Sequence, residues 1–168
     1  QREIRDLAYQ VAVRDIKPVR EMHDEKETFP WEVVKKFAAA DLCGVYLPEA
    51  YGGLGGALLE QVLVIEQFSR ACGGIALAFA ATGLGSLPIM LLGNPEQRKR
   101  YLPDIASGKK LAAFCITEPS AGSDATATKC TAKKDGDHYV LNGTKIFVSN
   151  GEVAEIYIVF ASTNPARG

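Results

Sequence analysis

Two short segments carry residue types that can do chemistry. Thr117-Glu-Pro-Ser-Ala-Gly-Ser-Asp124 follows a compact apolar run, and its small residues leave backbone N–H groups free beside several hydroxyls. Such a loop can hold the polar edge of a ligand, or an anion, through backbone donors. It can equally be an ordinary connection rich in turn formers. The second segment, Lys145-Ile-Phe-Val-Ser-Asn-Gly151, alternates about Phe147. Read as a strand, it turns Phe147 away from Ile146 and Val148 and puts Ser149 on the Phe147 face. An aromatic so placed can stack on a planar ligand, although a core Phe followed by a strand-end Ser is the commoner arrangement.

Other patterns of this kind fall away. From Gly53 the run Gly52-Gly-Leu-Gly-Gly56 reads Gly-x-Gly-x-x-Leu, without the third glycine of a dinucleotide-binding turn and with no alternating β/α pattern around it. Ser107-Gly-Lys-Lys110 resembles the end of a phosphate-binding loop, but Lys110 stands where a hydroxyl residue is needed. Cys43, Cys72, Cys115 and Cys130 are far apart among apolar neighbours, which predicts buried thiols in a reducing compartment. With only His23 and His138 besides, no metal site is expected. The Asn142-Gly-Thr144 glycosylation sequon is set aside on the same compartment argument. A formal net charge of −1 offers no field to attract nucleic acid or anionic lipid.

The elements that must position these segments change character once. Ile4, Leu7, Ala8 and Val11 recur at helical spacing, and Pro18 should end that helix. Pro30 opens a second helix with Trp31, Val34 and Ala38 on one face, Phe37 beside it, and Gly44 as its stop. A third, about Ala57 to Arg70, should bury Leu58, Val62 and Ile65 and present Glu60, Gln61 and Gln67 to solvent. Ala71 to Pro95 has no charged residue, but its glycines, Pro88 and modest hydropathy favour a helix inside a bundle over a membrane span. Asn94-Pro-Glu-Gln97 predicts a capping box on a last helix ending near Gly108.

From Lys110 the period becomes two. Leu111–Thr117, Thr126–Lys133, His138–Asn142, Thr144–Ser149 and Glu155–Ser162 read as strands, joined by turns at Asp135-Gly136, Asn142-Gly143 and Asn150-Gly151. The expectation is an α+β chain: an N-terminal all-α helical bundle domain over residues 1–110, then the first part of an antiparallel β-domain over residues 111–168. An open sheet that stops at Arg167-Gly168 reads as a piece of a longer protein.

Taken together the segments resemble the acyl-CoA dehydrogenase family. Thr117-Glu-Pro through Gly122-Ser-Asp124 carries the most specific part of the resemblance. Leu47-Pro-Glu-Ala-Tyr-Gly-Gly-Leu-Gly55, Gly85-Ser-Leu-Pro-Ile89, Gly93-Asn94, Gln97-Arg-Lys-Arg-Tyr-Leu-Pro103, Asn142-Gly-Thr-Lys145 and Asn150-Gly151 extend it along the chain. The resemblance implies FAD as cofactor, an acyl-CoA thioester desaturated at Cα–Cβ, and an electron-transfer flavoprotein as acceptor. It also implies a homo-oligomer at full length and a cytoplasmic location, or alternatively the mitochondrial matrix. An oxidase or flavin monooxygenase of the same fold, or a non-catalytic binding domain, would keep the same segments. No contact with nucleic acid and no membrane insertion is expected.

The resemblance also implies roles by position. Phe114, Ile116 and Thr117 would line the flavin, the Gly122-Ser123 corner would approach its pyrophosphate, and Ser123 would also approach the pantetheine arm. Phe147 would cover the isoalloxazine ring beside Val148, and the Ser149 hydroxyl would reach toward N5. The family often has Trp and Thr where this chain has Phe147 and Ser149, and both changes keep the chemistry. Leu84, with Ala80, Thr82 and Gly83, would line the acyl pocket. The catalytic base is a glutamate outside this chain, and Glu118 is implied to anchor its loop.

Overall fold

A computed structural model of the chain describes residues 1–164; the end read as a turn before Gly168 lies outside them. Among the described residues six α-helices come first: α1 (Arg2–Val11), α2 (Arg20–Lys26), α3 (Trp31–Ala39), α4 (Leu58–Ala71), α5 (Gly73–Leu92) and α6 (Pro95–Ala106). Four short strands follow: β1 (Ala112–Cys115), β2 (Thr131–Asp135), β3 (His138–Asn142) and β4 (Ile156–Val159). The α+β order is the one expected.

α1 continues through a π-helical turn, Ala12–Ile16, and the chain bends at Lys17–Val19, where Pro18 cannot donate to a continuing helix. Its buried stripe is Ala8, Val11, Ala12 and Ile16. α3 buries Val33, Val34 and Phe37 and leaves Trp31 exposed, so the inward face lies one residue from the one expected. Asp41, in the left-handed region at φ 56°, ends that helix; Gly44 sits in the following 3₁₀ turn instead.

The largest correction concerns α4, where Gln61, Val64, Gln67 and Phe68 are buried while Leu58 and Val62 are exposed. Phe68 decides the rotation: its ring stacks on Phe37 at 4.2 Å, with Phe79 edge-on to both at 5.4 and 6.0 Å. Three aromatic rings bury more apolar area than Leu58 and Val62 would, so the helix turns that face inward. Gln61 is accommodated because Gly83 has no side chain; a Cβ there would lie 1.7 Å from the Gln61 amide nitrogen.

α5 is long and apolar enough to cross a membrane, and 56 % of its most apolar window is buried inside the fold. It lies against α4, α6 and β1. Gly85 permits the last contact, since a Cβ there would come within 2.8 Å of the Ala112 side chain. The predicted capping box opens α6: Gln97 N–H donates to Asn94 Oδ1 at 2.8 Å, and Asn94 N–H to Gln97 Oε1 at 2.9 Å. The glycine-rich run after Leu47 is a close-packed turn, because a Cβ on Gly53 would sit 2.1 Å from the Leu47 carbonyl oxygen. Cys43, Cys115 and Cys130 are buried thiols as expected, whereas Cys72, at the junction of α4 and α5, is only half-buried; burial pushes the Cys43 thiol up to about 12.

The strands form two pairs. β2 and β3 are an antiparallel hairpin closed at Asp135 and His138, with positive φ at Gly136. β1 and β4 run parallel, with Ala112 beside Ile156 and Cys115 beside Val159, where antiparallel pairing was expected. The 40 residues between them carry the β2–β3 hairpin, more than enough for the crossover that a parallel pair requires. Residues 144–149 form no strand: Phe147 and Asn150 both take left-handed conformations, at φ 54° and 63°. The alternation that placed Phe147 and Ser149 on one strand face therefore does not apply.

Candidate functional site

The two segments singled out by residue type lie side by side. Ile146 N–H donates to the Thr117 carbonyl at 2.9 Å, which sets Phe147 next to the loop that follows β1. Beneath this contact is a buried ion pair, Lys145 Nζ to Glu118 Oε1 at 2.7 Å. Lys145 also donates to the Ile116 carbonyl at 2.9 Å and to Thr128 Oγ1 at 3.1 Å. Glu118 accepts in addition from the Thr128 hydroxyl, from Lys129 N–H at 2.7 Å and from Cys130 N–H at 2.9 Å.

Four donors on one carboxylate stabilise its charged form, Lys145 most strongly and then Thr128, so Glu118 is held down at about 2. A carboxylate so acidic and so deeply buried lacks the basicity to take a proton from a substrate. Its chemistry is that of an anchor.

The other end of the second segment is fastened by Asn150. Its Nδ2 donates to the Ala78 carbonyl at 3.0 Å, Thr82 Oγ1 at 3.1 Å and the Ala112 carbonyl at 3.2 Å. Asn tolerates the left-handed conformation there better than most residues. The turn carrying Phe147, Val148 and Ser149 is thus held by Lys145 at its start and Asn150 at its end.

Between these anchors the predicted contact residues are available. Phe147 is 87 % exposed although its backbone is left-handed, a conformation that costs a non-glycine residue about 1–2 kcal/mol. Gly122 and Ser123 are exposed, and a Cβ on Gly122 would meet open space. Among the described residues, the N–H groups of Gly122, Ser123, Phe147 and Ser149 and the hydroxyls of Thr117, Ser123 and Ser149 have no protein partner. Phe114, half-buried on β1, packs its ring 4.9 Å from Phe160. Ile116, Thr117, Val148 and Ser149 are half-buried.

The α5 residues divide. Leu84 is exposed, whereas Thr82 and Gly83 are buried, and the Thr82 hydroxyl is engaged with the Ala78 carbonyl and Asn150. A cavity of about 640 Å³ between α2, the first turn of α5 and residues 148–153 includes Val148 but none of the other expected contacts. No local pattern announces Lys145, Thr128 or Asn150 as functional, because their partners lie 10 to 72 residues away.

The chain belongs to the acyl-CoA dehydrogenase family: residues 1–109 match the family's N-terminal domain and residues 113–168 its middle domain. An acyl-CoA dehydrogenase of Bacillus subtilis (strain 168) is 39 % identical over 98 % of this chain and 44 % of its own length. An acyl-CoA dehydrogenase complexed with FAD from Bacillus anthracis superposes with a TM-score of 0.89 at 41 % identity, over 96 % of this chain and 28 % of that one. A chain from a structural study of the electron transferring flavoprotein of Acidaminococcus fermentans superposes with a TM-score of 0.95 at 39 % identity, over 99 % and 44 %. The chain thus spans less than half the length of these relatives.

Proposed function

We propose that this chain supplies part of the FAD site of an acyl-CoA dehydrogenase, in a protein that desaturates an acyl-CoA thioester at Cα–Cβ. The observation that carries the reading is the pairing of an exposed aromatic on a left-handed turn with a loop of unpaired N–H and hydroxyl donors. A strained, largely uncovered Phe147 contributes little to the fold, and such outliers persist where a ligand uses them. The donor set suits a flavin: an apolar ring face for the isoalloxazine, and N–H and hydroxyl groups for its polar edge and pyrophosphate.

In this reading Phe114, Ile116 and Thr117 line the ring, Gly122 and Ser123 hold the pyrophosphate, and Phe147, Val148 and Ser149 cover the ring and reach its N5 edge. FAD held there would supply a hydride acceptor for the substrate β-carbon, and the α-proton would go to a base that none of the residues in this chain provides. Residues of this chain bind, orient and exclude water; preorganised N–H donors stabilise negative charge as it develops. Residues 1–110 form the helical domain and residues 111–168 the start of the flavin-binding one. Ser123 also meets the pantetheine arm, and Leu84, open on α5, touches the acyl chain. Relatives from bacteria and the electron transferring flavoprotein neighbour favour a cytoplasmic enzyme that passes electrons to that carrier.

The test is made on the intact protein. It should be isolated with visible flavin absorbance that bleaches when acyl-CoA is added without oxygen, and Leu84→Trp should shift the preferred chain length downward. An intact protein that binds no flavin, or whose flavin is bleached by no acyl-CoA, would overturn the reading.

A further inference from the structure

The Glu118–Lys145 pair touches three separate stretches of chain at one point: the Ile116–Glu118 backbone after β1, the Thr128–Cys130 backbone before β2, and the turn that carries Phe147. We infer that it is a positioning pair, which holds the Phe147 turn and the Ile116–Thr117 backbone at the fixed separation a flavin ring requires. This inference rests on the FAD reading above and adds to it which buried residues set the width of the site.

The geometry is one of fastening. Among the described residues, apart from the Ile146–Thr117 backbone bond and the Asn150 bond to Ala112, every hydrogen bond joining the Phe147 segment to the β1 strand and the loop after it runs through Lys145. Phe147 stands two residues beyond Lys145, and Thr117 lies between the two residues that Lys145 grips, Ile116 and Glu118. A shift in the ammonium position therefore moves the Phe147 turn relative to the Ile116–Thr117 backbone. Neither Glu118 nor Lys145 is open to solvent, so water cannot replace one partner when the other is removed. A residue this deeply paired cannot itself reach a ligand, and its influence on one passes through Phe147 and Thr117.

A role confined to stability is separated by removing both charges together. Glu118→Gln with Lys145→Met leaves no buried unpaired charge, and the amide oxygen still accepts from Lys129 or Cys130, while the link to Ile116 is lost. In the intact protein this double variant should keep the wild-type far-ultraviolet circular dichroism. Its FAD affinity, measured by titrating the apoprotein, should fall at least about tenfold. The visible flavin band should move toward that of free FAD, a signature that a purely structural pair would not alter. Lys145→Arg, which keeps the charge, should recover part of the affinity. A folded double variant with wild-type affinity and wild-type spectrum overturns the inference and leaves the FAD reading standing. A wild-type protein that binds no FAD overturns both. If the double variant does not fold, Lys145→Arg alone decides by the same two readouts, since it keeps both buried charges and changes only the length of the link; wild-type affinity and a wild-type spectrum in it overturn the inference.

Discussion

Glu118 takes four hydrogen bonds on its carboxylate, and that arrangement has a consequence for acid stability. Its folded-state value of about 2 lies below the ordinary 4.5, so folding binds fewer protons than the unfolded chain in that range. The stabilisation is fully present above the unfolded value and is lost as pH falls through the folded one. The stability gap between wild type and Glu118→Gln should hence be constant above roughly pH 5 and shrink from there toward pH 2. Thermal melts of both proteins across that range check it; a gap that widens on acidification would contradict the assignment. Phe147 presents the opposite case, a residue whose contribution to the fold is slight. In Phe147→Gly the relief of the left-handed strain and the greater freedom of the unfolded chain nearly cancel, so stability should change by less than about 1 kcal/mol. FAD binding should weaken because the ring cover is gone. Denaturant titration and FAD titration of the same variant separate the two effects.

At the scale of elements, the site depends on where α5 and β1 are held relative to the turn after residue 144. Asn150 makes that connection through three acceptors on α5 and β1. Asn150→Ala removes the donor and leaves Ala at φ 63°, a position that Asn tolerates better. The expected loss is about 2 kcal/mol, with faster amide hydrogen exchange confined to residues 147–151. Global loss of exchange protection would show instead that Asn150 holds the whole bundle together. The turn was read as a strand because Ile146, Phe147 and Val148 alternate and have high strand propensity. Two non-local anchors, Lys145 to Glu118 and Asn150 to α5, overrode that propensity. The same kind of override rotated α4, whose leucines obey helical spacing as well as its buried face does. Spacing alone does not say which of two apolar faces meets the Phe37–Phe79 cluster.

The molecule as a whole carries more exposed apolar surface than its core requires. Leu58, Leu59 and Val62 on α4 and Leu77, Leu84 and Leu91 on α5 are all open in this 168-residue chain. Patches of this kind drive association when nothing covers them. In isolation the chain should bind a hydrophobic dye and show concentration-dependent light scattering. Replacing Leu58, Leu59 and Val62 together by Glu should reduce both while leaving the melting temperature nearly unchanged, because exposed side chains contribute little to stability. Unchanged scattering in that variant would place the association elsewhere.

Local chemistry was legible in the sequence by itself. The order of helices before strands, the capping box at Asn94, the hairpin at Gly136, the buried cysteines and the family all follow from residue types within a few positions of one another. The tertiary structure alone decided which face of α4 is buried, that β1 and β4 run parallel, and that Phe147 stands on a left-handed turn. It also decided that Glu118, Lys145, Thr128 and Asn150 secure that turn. Each of these is a competition between distant groups for the same partner, settled by burial area and by the cost of leaving a charge or an amide unpaired, which no local spacing encodes.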